Sequence, residues 1–281
     1  MEISNYSSDN SNFTSGVDGP NILDSIIEHK KIEVARAKEI TSLATLQQSE
    51  NFNRQTISMR QFLLDESKTG IIAEFKRKSP SKGVINATAS VEAVTAAYTK
   101  YGASALSVLT DEQFFGGSVE DLKVARINHI PILRKDFMID AYQIAEAKAM
   151  GADVILLIAA CLTPLQVKEL ATYATSLQLE VLLEIHTEQE LQHICDETSI
   201  VGINNRDLKT FKVDINRSIE LSKKIPDNKL RIAESGINDI ETIRIFKNEG
   251  YHGFLIGENF MKQPDPTVAF AQFVNDFTQS K

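Results

Sequence analysis

Glu74 and Lys76 stand two residues apart at the end of the apolar run Ile71-Ile72-Ala73-Glu74-Phe75-Lys76, and a Ser-Pro-Ser-Lys-Gly loop follows. Along a strand alternate side chains share a face, so Ile72, Glu74 and Lys76 point one way and Ile71, Ala73 and Phe75 the other. One face is apolar throughout. The other turns ionic at its tip, the pattern of a parallel strand opening into a reaction site. Taken alone, the pair reads as an exposed, energetically near-neutral ion pair beside a turn; the other strand ends change that reading.

Lys135 lies on Pro131-Ile-Leu-Arg-Lys-Asp-Phe137, in phase with Leu133 and so facing inward, with Arg134 facing out. Crowded by Glu74 and Glu184, it is expected to stay charged and serve as a general acid, with desolvation drawing its pKa down. The plain alternative is a lysine snorkelling to solvent at a rim. Glu184, in phase with Leu182 and Glu180, also faces inward. Asn204 and Arg206 supply a neutral and a cationic donor suited to a carboxylate or phosphate. Glu234, Ser235 and Gly236, with Gly257 and Glu258, form two Gly-containing loops. A short helix expected at Glu258 to Met261 makes this a place where backbone N–H groups hold a phosphate. Phe114 and Phe115 sit in a Gly-rich loop, where they either pack on a neighbouring helix or line a pocket for a flat apolar group. Phe137 points to the same choice.

Positioning these groups together requires a frame. From Ile71 onward, eight short β-branched runs begin at Ile71, Ser104, Pro131, Asp153, Glu180, Ile200, Leu230 and Gly253. Helical patterns such as Val91–Tyr101, Ala141–Met150, Pro164–Ser176 and Ile237–Asn248 separate them. Eight βα units close an α/β (β/α)8 TIM barrel, whose strand ends share one rim and bring distant residues together. The rival is a doubly wound open sheet, which announces itself by a GxGxxG turn after its first strand; none occurs. The glycines precede strands instead, at Gly102, Gly151 and Gly250, as helix C-caps.

Residues 1–20, rich in Ser, Asn, Asp and Gly, read as a disordered leader, and residues 21–281 as a single barrel domain. Residues 21–66 hold capping helices: a long amphipathic one from Asn21 and a second near Ile57 to Leu64, two in all before the first strand. They are expected to lie on the barrel as a lid or bottom plug, the alternative being an external partner-binding helix. Because the chain ends soon after its eighth unit, no fused second enzyme is expected.

A net charge of −8 argues against a nucleic-acid surface, and no run approaches the roughly 20 apolar residues of a membrane span. A cytoplasmic protein is expected. Cys161 and Cys195 read as small buried hydrophobes. The nearest histidine pair, His186 and His193, is seven apart on an expected helix, so no structural metal is expected.

The segments EFKRKSPSKGVI, LTDEQFFGGS, ILRKDF, LLEIH, VGINNRDLKTFKVD, AESGI and FLIGENFM, in this order, resemble the indole-3-glycerol phosphate synthase family from about Asn21 to Phe277. The resemblance implies ring closure of 1-(o-carboxyphenylamino)-1-deoxyribulose 5-phosphate, with loss of CO2 and water, in tryptophan biosynthesis. It implies no cofactor and a small phosphorylated substrate as the partner; association with other enzymes of that pathway stays open. It casts Lys135 as the acid that protonates the ketone oxygen, and Glu184 and Glu74 as carboxylates that stabilise the cationic intermediate and move protons. Lys76 would hold the substrate carboxylate. Ser79, Gly236, Gly257 and Glu258 would surround the phosphate, Asn204, Arg206, Glu234 and Ser235 the ribulose part, and Phe115 and Phe137 the anthranilate ring. Asn204 would also belong to the catalytic set. The family often has a small residue at Arg77 and Ala at Asn259. A neighbouring isomerase of the pathway uses a cysteine at the end of its first strand, where this chain has Glu74. A non-catalytic barrel that binds a phosphorylated metabolite is the remaining alternative.

Overall fold

A computed structural model describes residues 22–207 and 212–279. The expected disordered leader, residues 1–20, lies outside them, as do residues 208–211 of the VGINNRDLKTFKVD segment. Eight parallel strands close a barrel in chain order: β1 (Ile71–Phe75), β2 (Ala105–Leu109), β3 (Ile132–Lys135), β4 (Val154–Ile158), β5 (Glu180–Ile185), β6 (Ile200–Asn204), β7 (Leu230–Glu234) and β8 (Gly253–Ile256). Pairing of β1 with β8, Ile71 opposite Phe254, completes the ring. Each expected run is therefore a strand, trimmed by a residue or so at its ends.

Alternation along the strands splits the core in two. Ile71, Ala73, Phe75, Val108, Ile155 and Val181 face the helices. Ile72, Leu133, Val154, Leu156, Leu182, Ile232 and Leu255 fill the barrel interior. Arg134 points out of the barrel as expected, yet it is 2% exposed, held by Asp136 and Glu146 in the helix layer.

Helices α1 (Ile22–Ile40), α2 (Leu43–Gln47) and α3 (Met59–Leu64) precede the barrel, together with a 3-10 turn at Glu50–Asn53. The expectation of two helices therefore missed α2 and the turn. Both are too short to show a helical apolar period, and Ser42 starts α2 by accepting from Thr45 N. The extension packs at both ends of the barrel. Ile22, Leu23 and Ile26 of α1 line the cavity at the rim, while Met59 and Leu63 of α3 enter the inner core. At the opposite end from the rim, Glu180 at the start of β5 accepts from Ser58 Oγ and Arg60 N, and Asp153 before β4 accepts from Arg54 and Ile57 N.

Side-chain caps start the outer helices: Ser90 for α4 (Val91–Lys100), Ser118 for α5 (Val119–Ala125), Asp140 for α6 (Ala141–Met150) and Thr163 for α7 (Pro164–Ser176). Asp214 and Asp239 do the same for α8 (Ile215–Ser222) and α9 (Ile240–Asn248). The last of these begins three residues after the expected Ile237, because the Asp239 carboxylate accepts from Thr242 N. Gly102, Gly151 and Gly250 take positive φ before strands, as their positions imply. After β5 a 3-10 turn at Glu188–His193 stands in place of a helix. His186 and His193 are thus not on one helix, as the sequence suggested: His186 follows the strand and His193 ends the turn. Two helices close the chain, α10 (Glu258–Met261), as expected, and α11 (Pro266–Gln279). Among the described residues no helix is long and apolar enough to cross a membrane.

Candidate active site

A cavity of about 450 Å3 opens at the C-terminal rim of the barrel. The fourteen residues given catalytic or substrate-binding roles in the sequence reading all line it: Glu74, Lys76, Ser79, Phe115, Lys135, Phe137, Glu184, Asn204, Arg206, Glu234, Ser235, Gly236, Gly257 and Glu258. They meet because every strand points the same way, so the final inward position of each one reaches the same end.

Lys135 is the electrostatic centre. Its Nζ lies 2.9 Å from Glu184 Oε2 and 2.7 Å from Glu234 Oε2. Burial lowers its pKa, but Glu184, Glu234 and Glu74 together more than offset this and hold it well above the usual lysine range. The expected downward shift is thus reversed: two carboxylates in direct contact outweigh desolvation. The expected crowding by Glu74 is also indirect, since Glu74 Oε1 pairs with Lys76 at 2.6 Å and Glu234 takes the second contact with Lys135.

The two carboxylates on Lys135 differ. Glu184 also accepts from Asn204 Nδ2 at 3.0 Å and faces His186, and despite its burial these partners hold it below the usual carboxylate range. Glu234 Oε1 is buried with no hydrogen-bond partner. Burial and the nearby charges of Glu184 and Glu74 push its carboxyl up, against the pull of Lys135. The site therefore holds one firmly ionised carboxylate and one that takes a proton readily, both on the same ammonium.

Phe114 and Phe115 divide between the two alternatives left open by the sequence. Phe115 stands 5.9 Å from Phe137, centroid to centroid, on the cavity wall, whereas Phe114 packs edge-on against His29 of α1. Beneath them lies Lys30, fully buried on α1, with Nζ 3.1 Å from Asp111 Oδ2 and 2.9 Å from Asp136 Oδ1. Asp111 accepts from the backbone N–H of Phe114 and Phe115, and Asp136 from that of Phe137. Burial opposes the charge on Lys30, and Asp136 and Asp111 more than restore it.

Elsewhere on the rim, Gly236 adopts φ +71°, and a Cβ there would lie 2.4 Å from Val213 Cγ1. Ser235 is also left-handed at φ +65°, a strained state for a residue with a Cβ. Ser79 Oγ is buried with no hydrogen-bond partner. Glu258 opens α10, with Arg206 at 3.7 Å and Lys82 at 3.9 Å from its carboxylate. Among the described residues no group of three or more His, Cys, Asp or Glu side chains is arranged to hold a metal.

Lys30, Asp111, Asp136 and His186 escaped the sequence reading as site residues. Asp136 adjoins Lys135, and Asp111 precedes Phe114 at a turn-capping distance. Lys30 had a clear signal: it lies four residues after Ile26 and four before Val34, on the stripe of α1 that is buried.

The chain is similar to known proteins over most of its length. The family model for indole-3-glycerol phosphate synthase matches residues 23–273. An indole-3-glycerol phosphate synthase of Bacteroides thetaiotaomicron is 47% identical over 254 residues, covering 90% of this chain and 97% of the relative. One from a Polaromonas species is 44% identical over 256 residues, covering 89% and 97%. Among solved structures, a 3-hexulose-6-phosphate synthase superposes with a TM-score of 0.58 at 12% identity, covering 74% of this chain and 99% of its own. A protein called KGPDC from Streptococcus mutans gives 0.56 at 14%, covering 74% and 97%; these two similarities speak for the barrel alone. With relatives this similar along nearly their whole length, and a family model spanning the barrel and its lid, the chain belongs to the indole-3-glycerol phosphate synthase family.

Proposed function

We propose that this chain closes an indole ring, converting 1-(o-carboxyphenylamino)-1-deoxyribulose 5-phosphate to indole-3-glycerol phosphate with release of CO2 and water. The observation that carries the reading is an ammonium, Lys135, held by two unlike carboxylates in a cavity that also presents paired aromatic rings and two glycine turns. In this reading Lys135 gives its proton to the ketone oxygen, making that carbon electrophilic. The ring carbon bearing the carboxylate attacks it. The carboxylate then leaves as CO2, returning its bonding electrons to the ring, and the new hydroxyl leaves as water after taking a second proton. Glu184, oriented by Asn204, and Glu74 take up the proton that the substrate methylene loses and stabilise the cationic intermediate. Lys76, held by Glu74, meets the substrate carboxylate.

Phe115 and Phe137 flank the anthranilate ring, Arg206, Glu234 and Ser235 join Asn204 around the ribulose part, and Ser79, Gly236, Gly257 and Glu258 surround the phosphate. The unpartnered Ser79 hydroxyl supports a polar ligand there. Proton donation contributes typically 100- to 10,000-fold. Alignment of ring and carbonyl in a site that excludes water supplies much of the remainder. A cytoplasmic setting belongs to the same proposal and is supported by the biosynthetic reaction itself. Purified protein incubated with the substrate is expected to develop indole fluorescence. Binding of the substrate without product would instead make this a non-catalytic binding barrel.

A further inference from the structure

A line of ionisable groups leads from Glu184 away from the cavity. His186, two residues on, places Nε2 3.3 Å from Glu184 Oε1, and its Nδ1 lies 3.7 Å from Glu190 Oε2. The residue is 6% exposed, and neither ring nitrogen has a hydrogen-bond partner. Glu190 is fixed in place: its Oε2 accepts from His186 N at 2.5 Å and from Thr187 N at 3.3 Å, in the capping box of the 3-10 turn. Its side chain is 15% exposed, so it lies between the buried imidazole and the solvent.

The reaction proposed above, on which this inference rests, needs such a line. Two protons must reach the ketone oxygen before it departs as water. One is recovered from the substrate methylene. The other comes from solvent, because the substrate enters as a carboxylate and that group leaves as neutral CO2. The side chain of Lys135 reaches water only through the cavity, where it is 15% exposed, and a substrate bound over it there would cover that direct route.

We propose that His186 is a positioning residue for Glu184 and returns the solvent proton, by way of Glu190, to the Lys135–Glu184 pair once per turnover. The imidazolium gives its Nε2 proton to Glu184 Oε1, and Glu184 passes a proton to the amine of Lys135. The neutral ring then turns, and its bare nitrogen is protonated from the Glu190 side. The charged groups facing His186 are Glu184 near the end of β5, Glu190 on the turn and Glu234 on β7, with Lys135 of β3 beyond them. Burial alone would lower the imidazole pKa, but the three carboxylates more than offset it, so the ring holds its proton above the ordinary histidine range. The half-buried Cys161 thiol is pushed up to about 12 by partial burial and by Glu184 and Glu190, and stays protonated.

The test compares His186→Asn and Glu190→Gln with the unaltered protein over pH 5.5 to 9, with indole fluorescence as the readout. Near neutrality His186→Asn is expected to lower kcat about tenfold while KM stays within about threefold. The ratio of unaltered to variant kcat should decline towards one as pH rises through the histidine's raised pKa, since Glu234 titrates in both proteins and cancels. Glu190→Gln should lower kcat in the same pH-dependent manner, and it decides the matter alone if His186→Asn does not fold. A ratio that is constant with pH, or below about twofold throughout, overturns the relay while leaving the proposed function standing. Absence of product from the unaltered protein overturns the function, and the relay with it.

Discussion

Gly202 of β6 faces the carboxylate of Glu234 on the neighbouring strand so closely that a Cβ at position 202 would stand 2.1 Å from Glu234 Oε1. The absent side chain is what lets Glu234 lie buried against Lys135. Gly257 plays the same part for Glu74, whose Oε1 would be 2.7 Å from an added Cβ. Two of the buried carboxylates on this rim, Glu234 and Glu74, thus depend on a glycine supplied by another segment of the chain.

Gly202→Ala is accordingly expected to displace Glu234 and weaken its contact with Lys135. The overpacking should cost about 1–3 kcal/mol, because the Leu182 side chain on the other side is also within 3.1 Å of the added carbon. Thermal unfolding measures the stability loss, and indole fluorescence the turnover, which should fall at least about tenfold. Turnover and midpoint both equal to the unaltered protein would mean that Glu234 does not need this space.

Lys135→Ala is expected to abolish turnover while leaving substrate binding within about threefold, because most of the residues proposed above to hold the phosphate and the aromatic ring lie on other elements. It also leaves Glu184 and Glu234 facing each other without their shared cation. Removing one partner from a buried ion pair costs about 3–5 kcal/mol, a loss that protonation of either carboxylate relieves. Stability of the variant should therefore improve relative to the unaltered protein as pH falls. Turnover within tenfold of the unaltered protein would remove Lys135 from the acid role.

The barrel and its rim were legible in the sequence because both follow from period two. Once Leu133 faces inward, Lys135 must too, and the same phase brings Glu74 and Glu184 to the same end. What the alternation could not give was the pairing across the rim. Glu234 reads as a generic strand-end acid, and its contact with Lys135 depends on how far β3 and β7 are staggered around the closed ring, which no local pattern encodes. The direction of the Lys135 shift was misread for that reason. Lys30 was passed over for another reason: its spacing sets it on the apolar stripe of α1, but a charge on a surface helix usually marks the solvated face, and here two aspartates from the β2 and β3 ends make it a buried one.

Glu234 also sets a pH signature in stability. Its carboxyl is pushed up to about 7 by burial and by the neighbouring Glu184 and Glu74 charges. A raised carboxyl binds its proton more tightly folded than unfolded, so its contribution is full below the unfolded value of about 4.3 and is lost as pH rises towards 7. Glu234→Gln removes that dependence. Compared with the unaltered protein, the variant should gain about 3 kcal/mol between pH 4.5 and pH 8, measured as the difference in unfolding free energy. Glu184 works in the opposite sense, since its depressed carboxyl stabilises the fold above about pH 4.3 and loses that effect only as pH falls further. Parallel curves for the two proteins across this window would show that Glu234 titrates as an ordinary carboxylate.

Lys30 ties the lid helix to both aromatic walls, because Asp111 and Asp136 each hold the backbone of a wall phenylalanine and both pair with its ammonium. Lys30→Met keeps the length and apolar stem of the side chain while removing the charge. Asp136 retains Arg134 and Thr110, so the Asp111 side should loosen first, taking Phe115 with it. The expected result is a KM for the full substrate raised about tenfold, with the inhibition constant of inorganic phosphate within about twofold, since no phosphate-side residue is touched. Lys30→Arg, which keeps the charge, should recover part of the affinity. An unchanged KM in the methionine variant would show that the aromatic pair is held by packing alone.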